Sequence, residues 1–433
     1  MLSIKNIKKL RGQYIGPSFS LSYDEPLHIV KGKGQYLYAS DGSQYLDAVN
    51  NISHVGHCHP RVIAALDEQN RLLNTNTRYL HNNIVTYADE LTNKLPAKLD
   101  VCYFTNSGSE SNDLALRMAR NYTDSNQTIV IAGAYHGHTN ATIEVSPYKF
   151  DGPGGVGSPD FVHQIPMPDP YRGKFRSNND DIALKYADSV QQILDVLNED
   201  NKQVAAFIAE AILGCGGQIF FPEKFLAAAS KKVQQAGGLF IADEVQIGFG
   251  RVGSHFWGFE SENARPDIVT MGKSMGNGHP ISAVVTTKEI ADRFNNGMEY
   301  FNSFGGNPVS CAVGKAVLQV IEEEKLQENA FQVGEYLMDQ LNDLKQRHNI
   351  IGDVRGRGLF LGLELIKDHE KLTPASLEAE KIANDMKDHG ILISTDGPDH
   401  NVLKIKPPMV FTCDNADQLV ETLNKLLMKG DFN

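Results

Sequence analysis

Cysteines are few in this sequence, long apolar runs are missing, and positive charge is not in excess. The five cysteines are scattered and form no CxxC pair, so neither a disulfide framework nor a zinc knuckle is indicated. No apolar run is as long as a membrane span, and the stretch from Met1 to Leu10 lacks the apolar core of a signal peptide. We therefore expect a reducing, cytoplasmic setting without membrane contact.

The charge balance restricts the classes of partner. The 41 basic and 53 acidic residues give a net charge of −12, which argues against general binding to nucleic acids or anionic membranes. A ligand that carries phosphate would need a local positive pocket. With 433 residues, of which 41% are hydrophobic, the chain can form a large core and about two or three domains.

Three histidines and a cysteine lie close together near the N-terminus. His54, His57, Cys58 and His59 could belong to a metal site, or they could form a packed turn before a helix predicted at 61–73. No second ligand cluster follows at a recognisable spacing, so the turn is favoured and no metal is predicted. Two GxGxxG matches do not lie at a strand-to-helix turn, so they do not predict dinucleotide binding.

The periodicity of the chain predicts an α/β region followed by an α+β region. Antiparallel hairpins are expected within 16–48, and a surface excursion rich in Pro, Gly and Asp is expected at 145–180. Helices are predicted at 84–95, 113–122, 183–198, 309–324, 327–345, 374–389 and 414–428. Strands are predicted at 101–104, 129–132, 204–209, 238–242, 267–271, 282–287, 359–365, 391–394 and 402–406.

Polar side chains stand at the ends of several of these strands. Glu210, Asp243 and Lys273 come at or just after strand ends, where ligands collect in parallel α/β sheets, although Asp243 and Lys273 could also form a structural ion pair. The loop 105–112 leads into a helix and is either a phosphate cradle or a plain helix cap. Tyr135 follows another strand, as a stacking platform or as part of the core.

This set of groups is what pyridoxal 5′-phosphate requires. Its aldehyde needs a lysine, its ring nitrogen needs a carboxylate, and its phosphate needs backbone donors. Five segments then occur in an order and spacing that resemble the class III aminotransferases, which are fold type I enzymes, over essentially the whole chain. They are Asn106–Glu110, Tyr135–Gly137, Asp243–Gln246, Lys273 and Phe304–Pro308.

The resemblance implies an α/β fold. Its large domain would hold a mostly parallel seven-stranded sheet, beside a smaller α+β domain. The expected division is an N-terminal segment at 1–55 that packs with the small domain, a large cofactor-binding domain at 56–308 and a small domain at 309–433. The resemblance also implies a homodimer or a tetramer with shared active sites.

The resemblance further implies roles for single residues. Lys273 would form the Schiff base and shuttle the Cα proton, Asp243 would pair with the pyridine nitrogen, and Tyr135 would stack on the ring. Gln246 would approach the ring hydroxyl, and Ser303 would reach the phosphate of the partner's site. The full set of cofactor-binding residues expected from the resemblance is Ser107, Gly108, Ser109, Tyr135, His136, Glu210, Asp243, Val245, Gln246, Lys273 and Ser303.

Two departures from the family pattern point to a branch. Cys215 stands where relatives acting on ornithine-like substrates carry a glutamate gate, and a lysine of Lys404-Ile405-Lys406-Pro407-Pro408 stands where they carry an arginine for the substrate carboxylate. These features resemble the phospho-lyases, which eliminate phosphate and ammonia from phosphorylated amines such as phosphoethanolamine. Lys404 and Lys406 share one strand face and could form a phosphate pocket or a solvated pair.

Two alternative functions stay open at this point. A true transaminase acting on an amine or amino acid could use Arg357 or another cation to bind a carboxylate, with pyruvate, glyoxylate or 2-oxoglutarate as acceptor. A catalytically silent relative, or a nucleotide-binding oxidoreductase, is the other alternative.

Overall fold

The structure is a computed structural model that describes residues 2–176 and 181–430. The helices are α1 Ile4–Tyr14, α2 Pro60–Leu72, α3 Asn82–Thr92, α4 Gly108–Thr123, α5 Asn140–Glu144, α6 Pro147–Phe150, α7 Asp181–Glu199, α8 Phe225–Gln235, α9 Gly258–Ser261, α10 Lys288–Phe294, α11 Pro308–Glu323, α12 Leu326–Arg347, α13 Ser376–Asp388 and α14 Cys413–Lys429. Within the described ranges, no helix has both the length and the apolar character needed to cross a membrane.

The strands are β1 Ile29–Lys33, β2 Tyr36–Ala39, β3 Gln44–Asp47, β4 Val101–Thr105, β5 Gln127–Ile131, β6 Val162–Ile165, β7 Val204–Glu210, β8 Ile212–Leu213, β9 Ile219–Phe220, β10 Leu239–Asp243, β11 Ile268–Met271, β12 Ser282–Thr286, β13 Ile351–Arg357, β14 Phe360–Leu365, β15 Ile391–Leu392, β16 Ser394–Asp396 and β17 Val402–Ile405.

The central element is a sheet with the strand order β4-β12-β11-β10-β7-β5-β6. β12 is antiparallel to both of its neighbours, and the remaining pairings are parallel. This arrangement confirms the predicted mostly parallel, seven-stranded sheet. Asp243 lies in register with Glu210 on one side and with Thr270 on the other, so the carboxyl ends of three strands meet at one edge.

The central strands are apolar on both faces, which is why they are continuous hydrophobic runs in the sequence. Alternate residues belong to two separate cores: Phe207 and Phe240 to one, Ile208 and Ile241 to the other. Phe207 and Phe240 stack with ring centroids 5.7 Å apart. α4 lies on the face of Ile208 and Ile241, and its buried Leu114 joins that core. The sheet is therefore fixed between two packed layers.

Two further four-stranded sheets lie outside the main sheet, and one of them joins distant parts of the chain. One has the order β1-β2-β3-β15, in which Leu46 of β3 pairs with Ile391 of β15 in parallel. The other has the order β13-β14-β17-β16 and comes entirely from the C-terminal part. The N-terminal strands thus pair with a C-terminal strand, while the exact domain boundaries at residues 55 and 308 stay a prediction.

Several local predictions were wrong. α4 begins at Gly108, not at residue 113, because the Ser107 hydroxyl accepts a hydrogen bond from the Glu110 N–H and caps the helix five residues earlier. The surface excursion at 145–180 contains β6, which pairs with β5 and extends the main sheet. α8 and β13 were not predicted. Of the excursion, residues 177–180 lie outside the described residues.

Candidate active site

A cavity of about 310 Å³ lies at the edge where β7, β10 and β11 end. It is lined by every residue predicted to bind the cofactor except Ser303. The remaining lining residues are Ile52, Asn106, Asn112, Gly137, Gly278, His279, Pro280, Ile281 and Ser282. The structure therefore brings together side chains that the sequence separates by well over a hundred residues.

The N-terminus of α4 forms one wall of this cavity. Its first N–H groups have no partner within the helix, and the helix dipole favours an anion at this end. At Gly108, a Cβ atom would come within 2.6 Å of Val245 Cγ1, so only glycine lets the helix start so close to the strand end. The Ser109 hydroxyl accepts a hydrogen bond from the His138 N–H at 3.0 Å. This wall can hold a phosphate.

Asp243 is buried in the wall of the cavity, and both of its carboxylate oxygens accept hydrogen bonds. Its Oδ1 accepts from the Val245 N–H at 3.1 Å, and its Oδ2 accepts from Asn112 Nδ2 at 2.8 Å. His136 Nδ1 lies 2.8 Å from the same Oδ2 and must donate, because a carboxylate can only accept. These donors fix the carboxylate in one orientation. Asn112 had no assigned role in the sequence, and no local pattern marks it.

Glu210 lies beside Asp243 and is 2% exposed. Its Oε2 accepts from the Gly214 N–H at 3.2 Å, while its Oε1 has no hydrogen-bond partner within the described part of the chain. Burial raises the pKa of Glu210, and the neighbouring Asp243 charge raises that pKa further. The surroundings of Glu210 therefore favour its protonated, neutral form.

Lys273 starts a short 3-10 turn, Lys273–Met275, just after β11. It lines the cavity with Asp243, but among the described residues the two side chains do not form an ion pair with each other. The chain before it packs tightly, since a Cβ at Gly272 would lie 3.3 Å from the Gly108 N atom. The backbone just before Lys273 is thus packed against the start of α4, and the ion-pair alternative is not what the structure shows.

Tyr135 and Gln246 provide the remaining predicted walls. The Tyr135 ring packs edge-on against Tyr148, with centroids 6.2 Å apart, and burial raises the pKa of its hydroxyl. The Gln246 side-chain oxygen accepts from Asn51 Nδ2 at 3.3 Å and from Lys406 Nζ at 3.4 Å. Asn51 was not predicted to belong to the site, because its partner Gln246 lies far away in the sequence.

Neither Lys404 nor Lys406 lines this cavity, but Lys406 contacts the lining residue Gln246 and shares Asp396 with Lys404. Both approach Asp396 Oδ2, Lys404 at 3.4 Å and Lys406 at 3.8 Å, which agrees with the predicted common face. Gln218 Nε2 donates to the same oxygen at 3.2 Å. The side chain of Lys404 is 26% exposed and that of Lys406 only 3%. The two lysines are therefore in different environments.

Arg357 and Ser303 stand apart from the cavity. Arg357 pairs with the buried Glu262 at 2.7 Å and bonds the Ser261 hydroxyl at 3.0 Å. Ser303 is exposed, in the loop whose Asn302 Oδ1 accepts from Asn106 Nδ2 at 3.0 Å. Arg357 thus already has a carboxylate partner, and Ser303 does not line the cavity of its own chain.

The histidine-rich turn makes separate contacts. His54 Nε2 lies 2.8 Å from the Phe249 carbonyl oxygen, His57 Nε2 lies 2.6 Å from Asp47 Oδ2, and His59 Nε2 lies 3.0 Å from Glu324 Oε1. In the part of the chain that the structure describes, no group of three or more His, Cys, Asp or Glu residues is placed to hold a metal.

The cavity fits pyridoxal phosphate on its own chemistry. It offers a helix N-terminus for the phosphate, a fixed carboxylate for the ring nitrogen and an amine for the aldehyde. Two buried polar atoms here, Glu210 Oε1 and His136 Nε2, have no hydrogen-bond partner among the described residues. Polar atoms left in this way are expected beside a bound polar ligand.

Comparison with known proteins points the same way. The family model described as aminotransferase class-III matches residues 19–427. The Drosophila melanogaster protein "Alanine--glyoxylate aminotransferase 2-like" is 51% identical over 95% of this chain and 85% of its own length. The Caenorhabditis elegans protein "Ethanolamine-phosphate phospho-lyase homolog 1" is 43% identical over 98% of this chain and 94% of its own length. Some other relatives are mitochondrial by name.

Among solved structures, a phospholyase from Arthrobacter in complex with phosphoethanolamine has a TM-score of 0.92 and 38% identity. The match covers 98% of this chain and all of that one. The fold is therefore that of the fold type I enzymes, and the cofactor expected from the sequence is confirmed. This chain belongs to the class III aminotransferase family and is a pyridoxal-phosphate-dependent lyase or aminotransferase.

Proposed function

We propose that this protein is a phospho-lyase that eliminates phosphate and ammonia from a phosphorylated primary amine such as phosphoethanolamine. The observation that carries the proposal is the lysine pair beside the cavity. Lys404 stands where the family's amino acid transaminases carry an arginine, and it shares Asp396 with a second lysine. Two ammonium groups around one carboxylate leave a net positive charge for an anion.

The chemistry of the leaving group supports the lysines. A phosphate gains charge on its bridging oxygen as the C–O bond breaks, so a nearby cation stabilises the transition state. Arginine is suited to the planar, bidentate recognition of a carboxylate, whereas the lysine ammonium is a compact point charge for a tetrahedral phosphate. The similar Arthrobacter phospholyase, whose structure is a complex with phosphoethanolamine, supports this substrate class.

The other site residues have roles that follow from their positions. When bound, pyridoxal phosphate supplies an electron sink for the carbon that loses its proton. Lys273 Nζ removes the proton from the carbon bearing the amine, and phosphate leaves from the neighbouring carbon. Asp243 would hold the ring nitrogen of the bound cofactor, with its carboxyl group oriented by Asn112 and His136. Water then converts the two-carbon remainder to an aldehyde and ammonia.

The loop at 214–218 gives the site its second departure from the transaminase pattern. Cys215 is half-buried there, and burial raises the pKa of its thiol to about 12, so it stays neutral at physiological pH. A charged gate residue at this position would pair with Lys404 or Lys406 and compete with the substrate phosphate. A neutral thiol leaves the lysine pair available.

A transaminase is the second candidate, and one observation favours it. The relative that is 51% identical carries the name of an alanine–glyoxylate aminotransferase 2-like protein. Arg357 does not support that alternative, since its guanidinium is paired with Glu262. A carboxylate substrate would then bind at the same lysine pair. The lysine ammonium groups are point charges and do not give the bidentate contact of an arginine guanidinium.

The two functions are separated by their products. The purified holoenzyme is incubated with phosphoethanolamine, and free phosphate and ammonia are measured together. We expect equal amounts of both, without any acceptor keto acid. In a parallel reaction, alanine and glyoxylate are supplied and glycine is measured. Glycine formation without phosphate release from phosphoethanolamine would reject the lyase and support the transaminase.

We also propose that the active enzyme is a homodimer in which Ser303 contributes to the partner's phosphate site. Ser303 is exposed, and the adjacent Phe304 is 71% exposed, an apolar surface that a second copy would cover. Light scattering gives the assembly state. Mixing inactive Lys273→Ala subunits with Ser303→Ala subunits tests the shared site, because sharing predicts activity different from the average of the two.

The cytoplasmic location stays a prediction.

A further inference from the structure

The Gln246 amide is held in one orientation by two donors. Asn51 Nδ2 and Lys406 Nζ both approach the same side-chain atom, at 3.3 and 3.4 Å. Each of these groups can only donate, so the atom that faces them is the carbonyl oxygen. The Gln246 NH2 group therefore points the other way. Since Gln246 lines the cavity, what it offers to a ligand is an N–H donor.

Lys406 is an unusual residue for this position because it is almost fully buried. It is 2% exposed, and its ammonium lies 4.6 Å from the centre of the Phe360 ring. Its backbone is fixed as well, since the Lys406 N–H donates to the Ala48 carbonyl at 2.8 Å. A buried lysine loses hydration and is retained only where its charge has partners. The partners here are Asp396 and the Gln246 oxygen.

We propose that Lys406 is a positioning residue for the cofactor, which acts through Gln246 by fixing and polarising its amide toward an oxygen of the bound pyridoxal phosphate. A charge-assisted hydrogen bond to the amide oxygen draws electron density from the amide nitrogen and makes its N–H a stronger donor. Asp396 supports this role by keeping an opposite charge 3.8 Å from the ammonium.

The lysine pair therefore divides into two roles. Lys404 has the same carboxylate partner but no contact with Gln246, and a quarter of its side chain reaches solvent. It is the lysine placed to meet an incoming phosphate. Lys406 faces the cofactor end instead. The role of Lys406 does not depend on whether the enzyme is a lyase or a transaminase, because it concerns the cofactor and not the substrate.

The test uses the holoenzyme without substrate and reads the visible absorbance of the bound cofactor. Lys406→Met removes the charge and keeps an unbranched side chain against Phe360. We expect it to shift the absorbance maximum or its pH titration, and to weaken cofactor affinity by about tenfold. Lys404→Met is the matched control, two residues earlier in the chain and with the same Asp396 contact. It is expected to leave the spectrum and cofactor affinity unchanged.

A double variant tests whether the effect passes through Gln246. In a Gln246→Ala background, Lys406→Met should cause no further spectral shift, because the amide that it orients is gone. Circular dichroism and thermal unfolding check that each variant folds, and Lys406→Arg provides a folded variant that keeps the charge. A wild-type spectrum in a folded Lys406→Met protein would overturn the proposal. An equal shift in Lys404→Met, or a full shift in the Gln246→Ala background, would overturn it as well.

Discussion

The two ends of the site are built in different ways. At the cofactor end, Asp243 sits on a central strand of the main sheet, is 3% exposed and receives hydrogen bonds from three separate groups. At the lysine end, Lys404, Lys406 and Gln218 share one oxygen of Asp396, and they come from the C-terminal sheet and from a loop.

This difference shows which part of the site the fold determines. The cofactor end is fixed by strands that are buried on both faces, so a change there disturbs the core. The lysine end depends on a small set of shared polar contacts at longer distances, so it can be changed without rebuilding the sheet. Substrate choice in this scaffold is therefore expected to vary at the lysine end while the cofactor chemistry stays constant.

Lys273→Ala removes a group that both ends need, and it should have the largest effect. We expect turnover to fall by about 10⁴-fold, because the proton-transfer group is lost, and the visible absorbance of the lysine-bound cofactor to disappear. Product assays and absorbance spectra measure the two effects. An unchanged spectrum in the folded variant would contradict the assignment of Lys273, and Lys273→Arg serves as a charge-matched control.

Asp243→Asn tests the rigidity of the cofactor end. The variant keeps the shape and removes the charge, so we expect turnover to fall by about a hundredfold to a thousandfold. Its amide would also face the buried donors Asn112 and His136, which should lower the free energy of unfolding of the cofactor-free protein by about 1–3 kcal/mol. Urea unfolding and kinetics measure these changes. Asp396→Asn, at the other end, should cause the smaller loss of turnover.

Lys404→Met tests the lysine end. We expect kcat/KM for phosphoethanolamine to fall by about tenfold or more, with a lower kcat as well as a higher KM, since one charge-assisted contact to the phosphate is lost and that contact strengthens as the C–O bond breaks. Binding of an unphosphorylated amine of the same length, measured by its spectral change, should stay the same. Equal losses for both amines would show that Lys404 does not contact the phosphate.

The pH dependence of cofactor affinity distinguishes the two lysines further. Burial lowers the pKa of Lys406 below the 10.5 of a free lysine. Asp396, Cys215 and Glu210 act against this shift, whereas the positive charge of Lys404 lowers the pKa further. If the charged form holds Gln246, affinity is full below this lowered pKa and falls as the pH rises through it. We expect a several-fold loss of cofactor affinity on the alkaline side. Lys406→Arg should remove that loss, and its persistence would contradict the role of Lys406.

Arg357→Ala should have the smallest effect, because this residue lies at neither end. We expect kcat and KM to change by less than about twofold, and stability to fall by about 1 kcal/mol through the lost pair with Glu262. A large rise in KM for a carboxylate-bearing amino acid would instead support the transaminase alternative.

The same contrast explains how much the sequence could predict. Strand ends such as Glu210 and Asp243 are marked locally, because apolar runs end in single polar residues, and the order of the motifs identifies the family. Asn112 and Asn51 could not be found in this way, since each is defined by a partner far away in the chain. The start of α4 was misplaced because a polar Ser/Asn tract resembles a loop until its burial is known.

The parallel pairing of Leu46 with Ile391 has a consequence for biosynthesis. On the ribosome, β3 emerges early and has to wait for almost the entire chain before β15 can pair with it. The backbone carbonyl oxygens of Ala48 and His54 accept hydrogen bonds from the backbone N–H groups of Lys406 and Met409. These contacts also cannot form until the C-terminal part has been synthesised. The N-terminal strands therefore leave an unpaired edge exposed throughout translation. The contacts of β15 and Lys406 can form only once the C-terminal part has been synthesised, and chaperones that bind nascent strand edges would protect this enzyme for most of its synthesis.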